Sequence, residues 1–263
     1  MNNTQFNTIK KSIKSYMKSL DLDTCKKELV KKGLLKTNSK LSKGDNLNVG
    51  LELLPSVLSG ANLCPSAGKC KLTCLAFSGP QGTIYGNAMF TGEMINVQIK
   101  LLARRTFVYL NDREWFVKLL KHELTSKQTL SELVGGSLHV RLNVFSDIDW
   151  TFVTNEVKNV SFYDYTKVWT RKSTANYHLT FSASETTDKF SIFEKVSNGE
   201  NVAVVFAVPS KAKLPKEFLN LEVVSGEDTD NRYEDPKGVI VGLVYKTTSG
   251  GKQDTSFTFK AVA

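Results

Sequence analysis

The 263-residue sequence predicts an α/β protein, a complete or partial β/α barrel of the TIM type with mostly parallel strands, preceded by a helical extension. Three observations predict it. Short, apolar, valine-rich runs recur at 138–143, 160–163, 202–208 and 239–245, as expected of parallel strands buried on both faces. Helix-period stretches separate several of these runs, and such alternation implies a parallel sheet with crossovers. Polar and acidic segments follow the runs, matching the carboxyl ends of barrel strands, where such folds keep their sites. An open doubly wound sheet is the alternative arrangement.

The elements follow in order. Phe6, Ile9, Ile13, Met17 and Leu20 recur at three- and four-residue steps with lysines opposite, which predicts an amphipathic helix over 4–20. Asp23 can cap a second short helix that Gly33 ends. A polar connector over 36–45 leads to a strand at 46–54, closed by Pro55. A glycine-rich stretch (Gly79, Gly82, Gly86) precedes a helix at about 91–109, with Met94, Val97, Leu101 and Leu102 inward. Asp112 caps the next helix, to about 124. Strands at 138–143, 160–163, 177–181, 202–208, 221–224 and 239–245 complete the sheet, with helices near 150–158 and 190–196.

Charge divides the chain. Residues 1–43 carry eleven lysines, no arginine and three acids, a balance of +8, while 44–263 balance at +1. The expected organisation is a basic helical arm over 1–43 and a near-neutral body over 44–263. The arm suits a phosphate backbone or an acidic protein, with affinity that salt weakens; the alternative is that its lysines form the solvated face of a helix. Hydrophobic residues make up 41% of the chain, enough for a core, and no apolar run reaches the roughly 18 residues of a membrane span. No apolar block of the secretory kind opens the sequence. A reducing cytoplasm is the expected setting, and there clustered cysteines bind metal more often than they pair.

Three of the four cysteines, Cys64, Cys70 and Cys74, fall within eleven residues on the loop after the first strand of the body. Thiolates are soft donors suited to zinc, copper(I) or iron–sulfur clusters. A structural zinc site wants four ligands, usually with cysteines paired two to four residues apart. Here there are three, the first gap is five residues, and no histidine lies within the stretch. Cuboidal iron–sulfur clusters are normally held by four thiolates, so three would leave one iron open to a small ligand. Zinc completed from elsewhere and reduced structural thiols remain the alternatives. Cys25, alone on a helix, reads as a small buried apolar residue.

The strand ends supply the candidate partners. Asn143, Ser146, Asp147 and Asp149 follow the strand at 138–143; Asp164 and Lys167 follow 160–163; Ser182 and Glu185 follow 177–181; Asp228 follows 221–224. On a barrel these ends converge on the face where the cysteine loop also opens. Asp147, Asp164, Lys167 and Glu185 are the candidates for moving protons or positioning a bound molecule. Asn143, Ser146, Asp149, Ser182 and Asp228 are candidates for binding it. Asp149 equally suits a helix cap, and Ser182, Ser184 and Asp228 suit loop amides. His178 reads as a core histidine; His122 and His139 give no signal. Acids at 147, 149 and 164 also admit hydrolysis assisted by a divalent ion.

Several of these motifs, taken together and in order, resemble one phage family. The Cys64–Cys74 loop, Arg-Leu-Asn through Ser-Asp-Ile-Asp-Trp at 141–150, Phe-Tyr-Asp-Tyr-Thr-Lys at 162–167, Tyr-His-Leu-Thr-Phe-Ser at 177–182 and Asp-Pro-Lys-Gly-Val-Ile-Val-Gly-Leu at 235–243 are similar to the phage gene product 88 domain. The resemblance covers about residues 36–246 and implies a phage or prophage origin, hence the cytoplasm of an infected bacterium. A looser resemblance is to radical S-adenosylmethionine enzymes, which carry three cysteines after the first strand of a partial β/α barrel. That resemblance implies a [4Fe–4S] cluster with an open iron, and S-adenosylmethionine as a ligand for it. The spacing here is five-then-three where those enzymes have three-then-two, and Gly92-Glu93 precedes a helix where theirs ends a strand.

Two functions are therefore expected from different classes. One is an iron–sulfur protein, an enzyme in its fullest form, with a small molecule at the open iron. The other is a metal-stapled binding protein whose basic arm grips nucleic acid or a host protein.

Overall fold

A computed structural model describes residues 2–37, 46–77, 97–246, 256 and 258–260. Helix α1 (Asn3–Lys18) starts at a capping box, in which Asn2 accepts from the Gln5 N–H and the Gln5 side chain accepts from Asn2. Helix α2 (Leu22–Lys32) is capped by Asp21, whose carboxylate takes the Thr24 N–H at 2.8 Å; Asp23, the expected cap, lies in the first turn. Gly33, at φ +74°, ends it as the sequence predicts. Strand β1 (Leu35–Lys36) and strand β2 (Leu47–Leu51) follow, then the cysteine loop.

Helix α3 (Val97–Asn111) and helix α4 (Arg113–Leu133) form the next pair. The first residues of the helix expected at 91–109, with Gly92-Glu93 and Met94, and the glycine-rich stretch lie outside the described residues. Asp112 caps α4 as expected, but the helix runs nine residues past 124. Beyond Leu124 only Ser131 is buried and Leu130 and Leu133 face solvent, so no apolar period marks that half.

The remaining elements are β3 (Leu138–Arg141), the single turn α5 (Thr151–Thr154), β4 (Ser161–Thr166), β5 (Tyr177–Ser182), α6 (Lys189–Ser197), β6 (Val202–Phe206), β7 (Glu217–Phe218), β8 (Leu221–Ser225) and β9 (Ile240–Val244). Among the described residues, the strands from β1 to β9 make a nine-stranded sheet in the order β1-β2-β3-β4-β5-β6-β9-β8-β7. Every pair from β2 to β8 is parallel; the two-residue strands β1 and β7 close the ends antiparallel. Among the described residues β1 and β7 do not pair with each other. The protein is therefore α/β with a mostly parallel sheet, as the alternation predicts.

From β2 to β6 each strand lies beside its predecessor, without the reversal of a doubly wound sheet. One face is apolar and helix-covered. Val49, Val140 and Phe162 meet Leu29 of α2, Val108 of α3 and Phe116, Leu120 and Leu124 of α4. Further along, Val202, Val204 and Phe206 meet Ile192 and Val196 of α6. The side chains that alternate with these (His139 and Arg141, Tyr163 and Tyr165, His178, Thr180 and Ser182) share the opposite, polar face.

Helix α1 lies on the body. Its buried Phe6, Ile9, Ile13 and Met17 pack with Leu54, Leu58, Cys74, Leu102, Ala103 and Phe145. Burying each such side chain contributes about 1.5–3 kcal/mol relative to exposure, so four of them fix the helix in place. Lys11, Lys14 and Lys18 remain exposed on its outer side.

Candidate functional site

The cysteine loop is a run of tight turns. Ala67 N–H donates to Cys64 O at 3.1 Å, Cys70 N–H to Ala67 O at 2.9 Å, and Thr73 N–H to Cys70 O at 3.1 Å. This three-residue step is that of a 3₁₀ helix, which forms at Gly68–Leu72 and stacks positions three apart. Gly68 takes φ +51°, open to glycine at no steric cost. Cys64 Sγ accepts the Ser56 N–H at 3.1 Å and donates to Phe145 O at 3.4 Å. Cys74 points into the apolar layer beneath α1 and α3. None of the four cysteines forms a disulfide, and Cys25 is buried among apolar side chains of the main core, as expected.

The three thiols occupy one electrostatic neighbourhood. Burial, with the neighbouring Cys70 and Asp147 adding to it, pushes the Cys64 thiol up to about 12 against the Ser56 N–H. Burial raises Cys70 while the Lys167 ammonium pulls it down, and Glu185 and Asp147 oppose that pull. Burial raises Cys74 well above the usual thiol range, with Cys70 and Cys64 adding to it. The sequence placed the cysteine loop beside an aspartate, a lysine and a glutamate from three strand ends, and Cys70 lies within the field of all three.

Each predicted partner has a definite place. Asp147 is a clamp: it accepts Thr166 Oγ1 at 2.9 Å, the Lys167 N–H at 2.9 Å and Arg171 Nη1 at 2.5 Å, while its own N–H donates to Leu63 O at 2.8 Å. It thereby ties the residue before Cys64 to the end of β4. Glu185 is an anchor: Oε1 accepts the Lys69 N–H at 2.7 Å, and Oε2 is buried with no partner among the described residues. Lys167 donates to Ser182 Oγ at 2.9 Å and to the carbonyls of Ser182 and Ala183. Among the described residues its ammonium meets no carboxylate within ion-pair distance.

Asn143 is a hub. Its Oδ1 accepts from Ser146 Oγ, the Ile148 N–H and Trp150 Nε1, and its Nδ2 donates to Ile148 O, which uses up the amide in shaping loop 143–150. Ser146 serves the same loop. Asp149 accepts the Thr151 N–H and hydroxyl from one residue before the N-cap, Trp150, which itself makes no side-chain cap bond. Asp228 pairs with Lys211 on the exposed rim beyond β8 and is not brought to the cysteines.

Asp164 sits differently from expectation. Pairing of β4 with β5 continues to Thr166, so Asp164 lies inside the strand and not past its end. It is fully buried, accepting the Asn143 N–H at 2.7 Å and the Tyr177 hydroxyl at 2.8 Å. Desolvation drives its carboxyl up to about 7, against the pull of Arg141.

Two groups of residues escaped sequence reasoning. The first is the polar sheet face. There Tyr233 stacks on His139 at 4.0 Å and meets Tyr163 edge-on, Arg141 lies 3.8 Å from Asp230, and Arg232 is wholly buried. His139 Nδ1, Arg141 Nε, Tyr163 hydroxyl and Arg232 Nε have no hydrogen-bond partner among the described residues. Period-two polarity in otherwise apolar strands was the available signal. The second lines a cavity of ≈410 Å³ between the cysteine loop and the start of α6, where Ser66, Gly68, Trp169, Phe181 and Asp188 join the already named Lys167. The hydroxyl-rich run from Ser182 to Ser191 pointed to it.

The donor set suits a soft metal: three sulfurs at one sheet edge, with a spare buried carboxylate oxygen on Glu185 beside the loop. Among the described residues, no three His, Cys, Asp or Glu side chains stand close enough together to hold a metal ion.

The family model described as gene product 88 matches residues 28–261. The chain belongs to that family, the one its ordered motifs resemble. No curated protein and no solved structure matches the chain, so the likeness to radical S-adenosylmethionine enzymes has no counterpart there. No described helix is long and apolar enough to cross a membrane.

Proposed function

We propose that this member of the gene product 88 family is an iron–sulfur protein of phage origin, working in the cytoplasm of the infected bacterium. Cys64, Cys70 and Cys74 would hold a [4Fe–4S] cluster one protein ligand short, its open iron facing a small molecule. One observation carries the reading: Cys64, Cys70 and Cys74 act on one another at the carboxyl edge of a parallel sheet, and Cys70 also lies in the fields of Lys167, Glu185 and Asp147. The strand order from β2 to β6, with helices on the apolar face, supports a partial β/α barrel around that edge.

A cluster with an open iron supplies one-electron chemistry to whatever that iron binds. The chain's own residues do the rest. Lys167, held by neutral oxygens, places a positive charge beside Cys70 and offsets part of the burial that holds it as a thiol. Asp147 and Glu185 fix the two halves of the loop, so Cys64 and Cys70 keep their orientation during loading. Because burial keeps the thiols protonated, loading must release protons and strengthen with pH. Within this reading S-adenosylmethionine is one ligand for the open iron; release of deoxyadenosine under reducing conditions is its test. Loss of iron binding in Cys70→Ala, with the melting temperature unchanged, is expected of the cluster itself.

The second reading is a non-enzymatic, metal-stapled protein whose N-terminal lysines bind nucleic acid or an acidic protein. The outward row Lys11, Lys14 and Lys18 on α1 favours it. Deleting residues 1–43 would uncover Leu54, Leu58 and Leu102, so the test is substitution. The triple change K11Q/K14Q/K18Q should abolish a salt-sensitive gel shift; a shift that persists would end this reading.

A further inference from the structure

We propose that the cavity beside the cysteine loop is a nucleotide site, taking a molecule with a flat base, a sugar and a phosphate. Its ≈410 Å³ falls within the roughly 300–1,000 Å³ of small-molecule sites. The reading above leaves the small molecule unnamed; this inference names its class and stands on the cavity whether or not a cluster is present.

Three kinds of group line the cavity, and each suits one part of a nucleotide. Trp169 and Phe181 supply an aromatic wall, their rings edge-to-face at 5.2 Å, and Trp169 keeps 41% of its surface exposed. Lys195 Nζ sits over the Trp169 ring at 4.4 Å from its centroid, so a flat base would stack on the face of the indole away from Lys195, worth about 1–3 kcal/mol for stacking on an aromatic side chain. Lys167 supplies the cation. Its bonds go to the Ser182 hydroxyl and to carbonyls, so the charge is positioned but not neutralised among the described residues. A phosphate there gains a charge-assisted hydrogen bond, the stronger class. Ser66, Ser184, Thr186 and Thr187 add hydroxyl lining.

Asp188 decides where the phosphate cannot go. Its carboxylate caps α6, accepting the Ser191 N–H at 2.8 Å and the Ser191 hydroxyl at 2.7 Å, so this helix start is already negative. An anion is repelled from it and directed to Lys167. Each Asp188 oxygen keeps a further lone pair, which suits it to accept from sugar hydroxyls. The lining thus runs from base through sugar to phosphate, with opposite charges at separate places.

The test is calorimetric titration of the chelator-treated full chain with the four ribonucleoside 5′-monophosphates and with adenosine. At least one monophosphate should bind saturably, and more tightly than its nucleoside. Lys167→Met should weaken the monophosphate at least tenfold and leave adenosine unchanged. Trp169→Leu, at a part-exposed position, should weaken both ligands while the protein keeps its melting temperature within a few degrees of the parent. The variant C64A/C70A/C74A should bind the monophosphate like the parent, which separates this site from the cluster reading. Absence of saturable binding by all four monophosphates would overturn the inference. So would a Lys167→Met protein of normal melting temperature that binds the monophosphate unchanged.

Discussion

Replacing Asp147 by Asn tests whether this carboxylate is a structural clamp or a group held ready for chemistry. Its side chain is 9% exposed and that of Arg171 15%, so the pair is largely withdrawn from water. Removing one partner of a buried pair costs about 3–5 kcal/mol. Arg171 keeps a bond to the Asp147 backbone carbonyl, and the new amide oxygen can still accept one donor, so the lower end applies. About 3 kcal/mol lowers the melting temperature by roughly 6–12 °C in a chain of this size. Arg171→Met leaves the carboxylate its two other donors and should cost less, about 1.5 kcal/mol. The double variant should fall short of the sum by at least about 1 kcal/mol, because the two residues share one interaction. Urea melts of the four proteins supply the cycle. A second readout is alkylation of Cys64, which should quicken in Asp147→Asn, since the Asp147 N–H bonds the carbonyl of Leu63. An Asp147→Asn protein that melts with the parent, or strict additivity, would refute the clamp and return Asp147 to the list of reacting groups.

Asp164→Asn should flatten the pH dependence of stability. The folded carboxyl titrates near 7 and the unfolded one near 3.8, so the folded state holds the extra proton; its contribution is full below about pH 4 and lost as pH rises through 7. Urea melts from pH 4 to 8 should show the parent weakening across this window and the Asn protein staying level. Gly68→Ala puts a Cβ 2.4 Å from Glu185 Oε1 at φ +51°, costing about 1–2 kcal/mol for the backbone alone. It should displace Glu185 from the Lys69 N–H and speed native-state alkylation of Cys70; an unchanged rate contradicts the anchor. Ile13→Ala removes a wholly buried side chain between α1 and the body and should cost about 2–5 kcal/mol by denaturant melts, whereas a loosely attached arm would lose nothing.

Much of this architecture was legible because buried parallel strands announce themselves. Val202–Phe206 and Ile240–Val244 could hardly be anything else, and their neighbours follow from alternation. Legibility failed where polarity is itself buried. Asp164 looked like a strand end because a carboxylate inside a sheet is costly; Asn143 and Tyr177 offset part of that cost, and neither is near it in sequence. The two short edge strands β1 and β7 carry too few residues to show a period. At the site, the sequence named strand ends that lie beside the cysteine loop but not their duties. Asp147 and Glu185 are occupied with the backbone amides of Lys167, just past β4, and of Lys69 in the cysteine loop, partners that no side-chain pattern reveals. Arg171 and Trp169 lie on a loop with no periodicity, and only the fold turns them toward Asp147 and the cavity.

The central claim is that three thiols at this sheet edge gather iron. Anaerobic expression with iron, followed by iron, sulfide and zinc analysis of the parent and of C64A/C70A/C74A, tests it most directly. The account predicts a brown parent with about four iron and four sulfide per chain, and a colourless triple variant with neither. A colourless parent carrying one zinc, or no metal at all, would contradict it.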